Sequence, residues 1–94
     1  MGRDRRPVKW FRFYSEVLED PKVQRMPPSL RWQWVEVLCL ANRGSPRGRL
    51  PMELADIAYS LRLSQAKTTA LLTDLQARGL LEFDDRWVPH NWDV

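Results

Sequence analysis

Residues 50–88 read LPMELADIAYSLRLSQAKTTALLTDLQARGLLEFDDRWV, and the apolar pattern in this stretch decides the fold. Its first part predicts a helix over 52–61, because apolar residues recur at the spacing of one helical face directly after Pro51. Its second part predicts a helix over 64–78, capped by Ser64 and ended by Gly79. The inward-facing stripes of the two helices are Leu54, Ile57, Ala58 and Leu61, then Thr68, Leu71, Leu72 and Leu75.

After Gly79 the apolar pattern changes from the period of a helix to that of a strand. Residues 80–83 and 86–88 predict two short strands joined by a turn at Asp84-Asp85, so that 80–88 forms a hairpin. Residues 49–50 leave room only for a very short additional strand.

The pattern upstream predicts two further helices, over about 11–19 and 29–42. Asp20-Pro21 is expected to end the first, since a residue before proline avoids the α region. The second is expected to be capped by Ser29 and closed by Gly44. Because it is apolar on most sides, it is expected to lie at the centre of the core.

This order of elements predicts a winged helix-turn-helix domain: mainly α (α+β), with four helices and a small β-hairpin as the wing. The chain has 94 residues, which is enough for one domain. We expect that domain to span 10–94, with residues 1–9 as a basic, flexible arm.

The net charge of +3 is unevenly distributed. Residues 1–12 contain five basic residues against one acidic residue, a net +4, so the remainder carries about −1. Such an arm is either a solvated terminus or a segment that lies along a phosphate backbone.

The outer face of the helix over 64–78 is the second candidate for DNA contact. It holds Ala66, Thr69, Ala70, Thr73 and Ala77, flanked by Lys67 and Asp74. Gln65 is suited to adenine, Lys67 to guanine or phosphate, and threonine to a base or a thymine methyl. The candidate DNA-binding residues are Arg3, Arg5, Arg6, Lys9, Ser64, Gln65, Lys67, Thr69, Thr73 and Arg86. The alternatives for this helix face are a plain solvated surface or a protein contact. The acidic tip at Asp84-Asp85 argues against a strong contribution of the wing to DNA binding.

The remaining chemistry is sparse. Cys39 is the one cysteine, and we expect it to be a buried hydrophobic residue in a reducing, cytoplasmic setting. His90 is the one histidine, and we expect it to be a surface or half-buried polar residue. We expect no catalytic residues, no metal site and no cofactor, and therefore no enzyme. We expect no membrane span.

The run from Trp10-Phe11-Arg12-Phe13-Tyr14 to Asp20-Pro21-Lys22-Val23, together with Asn91-Trp92, resembles phage replisome-organiser proteins. These are the DnaD-like, N-terminal winged-helix domains of phage and bacterial replication initiation proteins. The likeness continues through residues 38–41, 48–50, 57–58 and 75–81. It implies a role in starting DNA replication, self-association into an oligomer, and contact with other replication proteins. Such proteins often carry a second, C-terminal domain; this sequence ends two residues past Trp92.

Three functions therefore remain open at the level of sequence. The first is a DNA-binding and self-associating module of a replication initiation protein. The second is a protein-interaction or oligomerisation module that does not bind DNA, favoured by the alanines on the outer face and the many aromatic residues. The third is a phage-type transcriptional regulator on the same fold.

Overall fold

The computed structural model describes residues 13–44 and 46–90. Within them the chain forms an α+β fold of four α-helices and a two-stranded antiparallel hairpin. The elements are α1 (Pro21–Gln24), α2 (Pro28–Asn42), α3 (Leu54–Leu61), α4 (Gln65–Ala77), β1 (Leu81–Phe83) and β2 (Trp87–Pro89). The predicted arm over 1–9, with Arg3, Arg5, Arg6 and Lys9, lies outside the described residues, as does Asn91-Trp92.

The beginning of the described chain differs from the predicted helix over 11–19. Residues Ser15–Glu19 form a 3-10 helix, and α1 follows it directly. The 3-10 helix ends before Asp20-Pro21, as predicted, and the same pair starts α1, because the Asp20 side chain accepts a hydrogen bond from the Lys22 backbone N–H at 2.9 Å. Pro21 then occupies the first helical position, where its missing N–H costs no hydrogen bond.

Helix α2 begins at Pro28, one residue before the predicted N-cap, so the prediction that Ser29 caps this helix is wrong. The prolines determine the start: Pro27 has the extended backbone of an N-cap and Pro28 is pre-set for the first turn. Helix α2 contributes to the core as expected, but it is not covered on all sides. One face of α2 packs in the core through Leu30, Val37 and Ala41, while the opposite face carries Trp32 and Cys39 at the surface. Cys39 is therefore exposed, contrary to expectation.

Helices α3 and α4 are joined by the three residues 62–64, as predicted, although α3 begins only at Leu54. Arg62 ends α3 in the left-handed conformation, with φ of 61°. Ser64 caps α4, its hydroxyl accepting a hydrogen bond from the Lys67 backbone N–H at 3.1 Å. Gly79 follows α4 with φ of 79°, which lets the Leu80 N–H reach the Leu75 carbonyl at 3.0 Å.

The core lies where α2, α3 and α4 meet beneath the hairpin. The predicted inward stripe of α4 is confirmed, since its four members are all buried. Ile57 and Leu61 of α3 face them, and Leu80 and Leu81 close the core at the start of the hairpin. The inward packing of α4 leaves its opposite face exposed to solvent.

The hairpin pairs Leu81 with Pro89, Glu82 with Val88 and Phe83 with Trp87. The predicted short strand at 49–50 is not present as an element. Its place is taken by one backbone hydrogen bond, in which the Leu50 N–H donates to the Trp87 carbonyl at 3.0 Å. That bond attaches the loop before α3 to the hairpin.

Candidate nucleic-acid interface

The N-terminal end of α4 is the most open part of this helix. Ser64, Gln65, Ala66 and Lys67 are all exposed. The first backbone bond of the helix runs from the Thr68 N–H to the Ser64 carbonyl at 2.9 Å. The N–H groups of Gln65 and Ala66 precede that bond and so lack a helical acceptor. They are directed towards solvent at the positive end of the helix dipole, an arrangement that favours an anion.

The outer face of α4 is exposed along its whole length, as predicted. The structure brings five of the predicted site residues together on this helix and its cap: Ser64, Gln65, Lys67, Thr69 and Thr73, all exposed. The one acidic side chain of α4, Asp74, is paired with Arg78 at 2.9 Å near the other end. Positive charge is therefore concentrated at the start of the helix and offset at its end.

Tyr59 and Arg62 extend this surface onto the end of α3. The Tyr59 side chain is 79% exposed, and the Arg62 guanidinium lies 5.7 Å from its ring centroid. Arg62 also donates to the Tyr59 carbonyl at 3.0 Å, which holds the guanidinium close to the turn. Neither residue was among the sequence candidates. One sequence signal could have identified Arg62. The turn after α3 needs a left-handed residue, usually glycine or asparagine, and this chain has an arginine there.

The hairpin places its basic residues differently from the prediction. Arg86 donates through Nε and Nη2 to the Leu50 carbonyl at 3.0 and 2.8 Å, so its guanidinium is committed to the neighbouring loop. Arg49 binds the tip, with Nη1 at 3.0 Å from Asp84 and 3.4 Å from Asp85. The tip thus presents carboxylates that are partly neutralised from within the protein.

Hydrogen bonds at this tip lower the pKa of Asp84 well below its usual range. The largest cause is the Arg86 backbone N–H, followed by the side chains of Asp85 and Arg49. A depressed pKa in the folded state means that ionised Asp84 stabilises the fold above its unfolded pKa of about 3.9. That contribution is lost as the pH falls towards the lower pKa of the folded state.

We therefore expect Asp84→Ala to lower the urea midpoint of unfolding at neutral pH. The variant should also lose less stability than wild type when the pH is lowered. The gap between wild type and variant should close as the pH falls from about 5 to about 2. Glu19→Ala is the matched control, since Glu19 is an exposed carboxylate that forms no ion pair among the described residues. A gap that stays constant down to about pH 2 would refute this role of Asp84.

The described ranges, 13–44 and 46–90, contain no group of three or more histidine, cysteine or acidic side chains placed to hold a metal ion. No helix within them is long and apolar enough to span a bilayer. Comparisons with protein-family models, curated proteins and solved structures give no match. The assignment of function therefore depends on the residues themselves.

Proposed function

We propose that this chain is a winged helix-turn-helix module that binds duplex DNA and self-associates, acting in the initiation of DNA replication in a phage or a bacterium. One observation carries the DNA-binding part: the exposed start of α4, where two backbone N–H groups without helical acceptors are flanked in sequence by the exposed residues Arg62 and Lys67. The role in replication rests on the family resemblance of residues 10–23 and 91–92.

In this proposal α4 is the recognition helix and enters the major groove with its N-terminal end. The N–H groups of Gln65 and Ala66 bind a phosphate, and the Gln65 amide reads a base edge. Thr69 and Thr73 lie one turn apart on the face that follows the groove. The alanines of the same face, Ala66, Ala70 and Ala77, are small enough to let the helix backbone approach the bases closely.

The bound phosphates are contacted from two sides of the α3–α4 turn. Lys67 flanks the groove-facing side of α4, and Arg62 lies at the end of α3, with neither forming an ion pair to a carboxylate among the described residues. The hairpin has a minor part, because Arg49 and Arg86 are engaged within the protein. The arm residues Arg3, Arg5, Arg6 and Lys9 add charge along the backbone.

The charge balance predicts weak, salt-dependent binding. The net charge is only +3, and most of it falls in residues 1–12. Non-specific affinity should therefore be in the range of about 10⁻⁴–10⁻⁶ M at physiological salt. Lys67→Ala should lower affinity about tenfold at about 50 mM salt and reduce the slope of log affinity against log salt by about one.

Fluorescence anisotropy with a labelled DNA duplex measures this effect. Arg25→Ala is the matched control, because it removes the same charge at the far end of α4, where the Arg25 carbonyl is 3.5 Å from Arg78 Nη1. Arg62→Gly is a second variant: it removes a phosphate contact while supplying the residue best suited to a left-handed φ. It should weaken binding without loss of thermal stability.

Two results would refute the DNA-binding proposal. One is the absence of binding at about 50 mM salt, with or without residues 1–9. The other is an equal loss of affinity in Lys67→Ala and Arg25→Ala, which would mean that only net charge matters. A footprint at a promoter instead of an origin would favour the transcriptional regulator over the replication protein.

A protein-interaction module is the second candidate, and a specific observation favours it. Large apolar side chains are exposed on elements other than α4: Trp32 is 62% exposed on α2, and Phe13 and Tyr14 are exposed at the beginning of the described chain. Exposed apolar side chains mark a contact surface where they form a contiguous patch. These three aromatics are candidates for such a patch and support the self-association part of the proposal independently of DNA.

A further inference from the structure

The outer face of α2 carries an organised stripe of side chains opposite the core. At about 100° per residue, five residues fall within roughly 100° of one another on this face. This outer stripe consists of Trp32, Val35, Glu36 and Cys39 of α2, and of Arg43, the C-cap residue that follows the helix. Trp32 is 62% exposed, Cys39 and Arg43 are exposed, and Val35 and Glu36 are half-buried.

The spacing within the stripe matches that of a helix–helix seam. Trp32, Glu36, Cys39 and Arg43 follow one another at intervals of four, three and four residues. This alternation keeps a row of side chains facing one partner helix. The core face of α2 is already occupied by α3 and the hairpin, whereas Trp32, Cys39 and Arg43 of the stripe are exposed.

The charges on the stripe select one orientation of a partner. Glu36 and Arg43 have opposite signs and stand two turns apart, about 10 Å along the axis, which is too far for them to pair with each other. Neither forms an ion pair with another described residue. In a parallel pair of α2 helices, like charges would face each other. In an antiparallel pair, each Arg43 faces the Trp32–Glu36 end of the other copy.

We propose that the outer stripe of α2 binds the same stripe of a second copy of this chain, antiparallel, about a twofold axis close to Cys39. Each Arg43 then enters between Trp32 and Glu36 of the other copy, forming an ion pair with the carboxylate and a cation–π contact with the indole. The two Cys39 side chains meet near the axis. The contact is isologous, as a twofold requires. This inference rests on the self-association part of the proposed function and not on DNA binding.

The size of the stripe predicts a weak dimer. A contact through one face of a 15-residue helix lies at the low end of interface sizes, below about 1,200 Å² in total. Association should therefore appear at micromolar concentrations and above. Sedimentation equilibrium of the full chain over a concentration series measures it directly.

A charge swap tests the geometry. Arg43→Glu and Glu36→Arg should each abolish dimerisation, because each places like charges across the axis. The double variant Glu36→Arg/Arg43→Glu restores opposite charges and should dimerise again, more weakly than wild type because the cation–π contact between Arg43 and Trp32 is lost. Arg25→Glu, at the exposed C-terminal end of α1, is the matched control and should leave association unchanged. Circular dichroism reports whether each variant is folded.

Cys39 gives an independent readout. A short bismaleimide should cross-link two wild-type chains through this cysteine, with the yield lost in Arg43→Glu and recovered in the double variant. Trp32→Ala should reduce both the cross-link and the sedimentation shift. A wild-type monomer across the whole concentration series, or a double variant that stays monomeric while folded, overturns the proposal. These experiments contain no DNA. A failure of the dimer proposal can therefore be distinguished from a failure of the DNA-binding proposal.

Discussion

Gly44→Ala should lower the free energy of unfolding by about 3 kcal/mol or more. A Cβ atom at this position would stand 2.0 Å from the Arg49 carbonyl oxygen and 3.2 Å from the Ala41 carbonyl oxygen. Both neighbours are backbone atoms, and the Gly48 N–H fixes the Ala41 carbonyl through a bond of 2.8 Å. The methyl group can be accommodated only if the loop between α2 and α3 moves. That loop also carries Arg49 to the hairpin tip, so the hairpin would be disturbed as well.

Gly79→Ala is the matched control for this substitution. Its φ of 79° makes alanine unfavourable, but a Cβ there would meet only the end of the flexible Lys22 side chain, at 3.4 Å. The expected loss is about 1 kcal/mol, the cost of a left-handed residue with a side chain. Urea unfolding of both variants compares them. Equal losses would show that the close approach of Gly44 to Arg49 is not a constraint in solution.

The second large effect is expected for Leu75→Ala. Leu75 is completely buried on the inward side of α4, within the cluster that includes Ile57, Leu72 and Leu81. Truncation removes contacts to the neighbouring elements at once and leaves a cavity, at a cost of about 2–5 kcal/mol. Thermal unfolding should show a melting temperature lower by roughly 10 °C or more.

The control for Leu75→Ala is Thr73→Ala, two residues earlier on the exposed side of the same helix. It should change stability by no more than about 0.5 kcal/mol. A small effect of Leu75→Ala, or a large effect of Thr73→Ala, would mean that α4 packs through the other face. The assignment of its outer face as the candidate interface would then be wrong.

The part of the fold nearest the candidate interface was the most predictable from sequence. Around α4 several local signals agree: the Ser64 cap, a stripe of four inward residues and Gly79 at the end. Each depends on residues within one or two turns of the position it describes. The exposure of Gln65, Lys67, Thr69 and Thr73 follows from the same periodicity. These predictions are confirmed by the structure.

The features that could not be predicted from sequence depend on residues far away in the chain, or on local sequence signals that favour two different structures. Arg86 was expected to face DNA, but its acceptor is the carbonyl of Leu50, 36 residues earlier, which no local pattern predicts. Pro21 is compatible with both the end and the start of a helix, and here it does both: the 3-10 helix ends at Glu19 and α1 begins at Pro21. Cys39 lies in an apolar run, and its exposure follows only from which face of α2 the other helices cover.

An NMR titration of the ¹⁵N-labelled chain with a DNA duplex at about 50 mM salt tests the central claim most directly. The proposal predicts that the backbone amides of Gln65, Ala66 and Lys67 shift most, followed by those of Arg62, Thr69 and Thr73. The amides of Asp84 and Asp85 at the hairpin tip should shift little. Largest shifts at the hairpin tip or on the outer stripe of α2, or no shifts at all, would contradict the assignment of α4 as the DNA-binding helix.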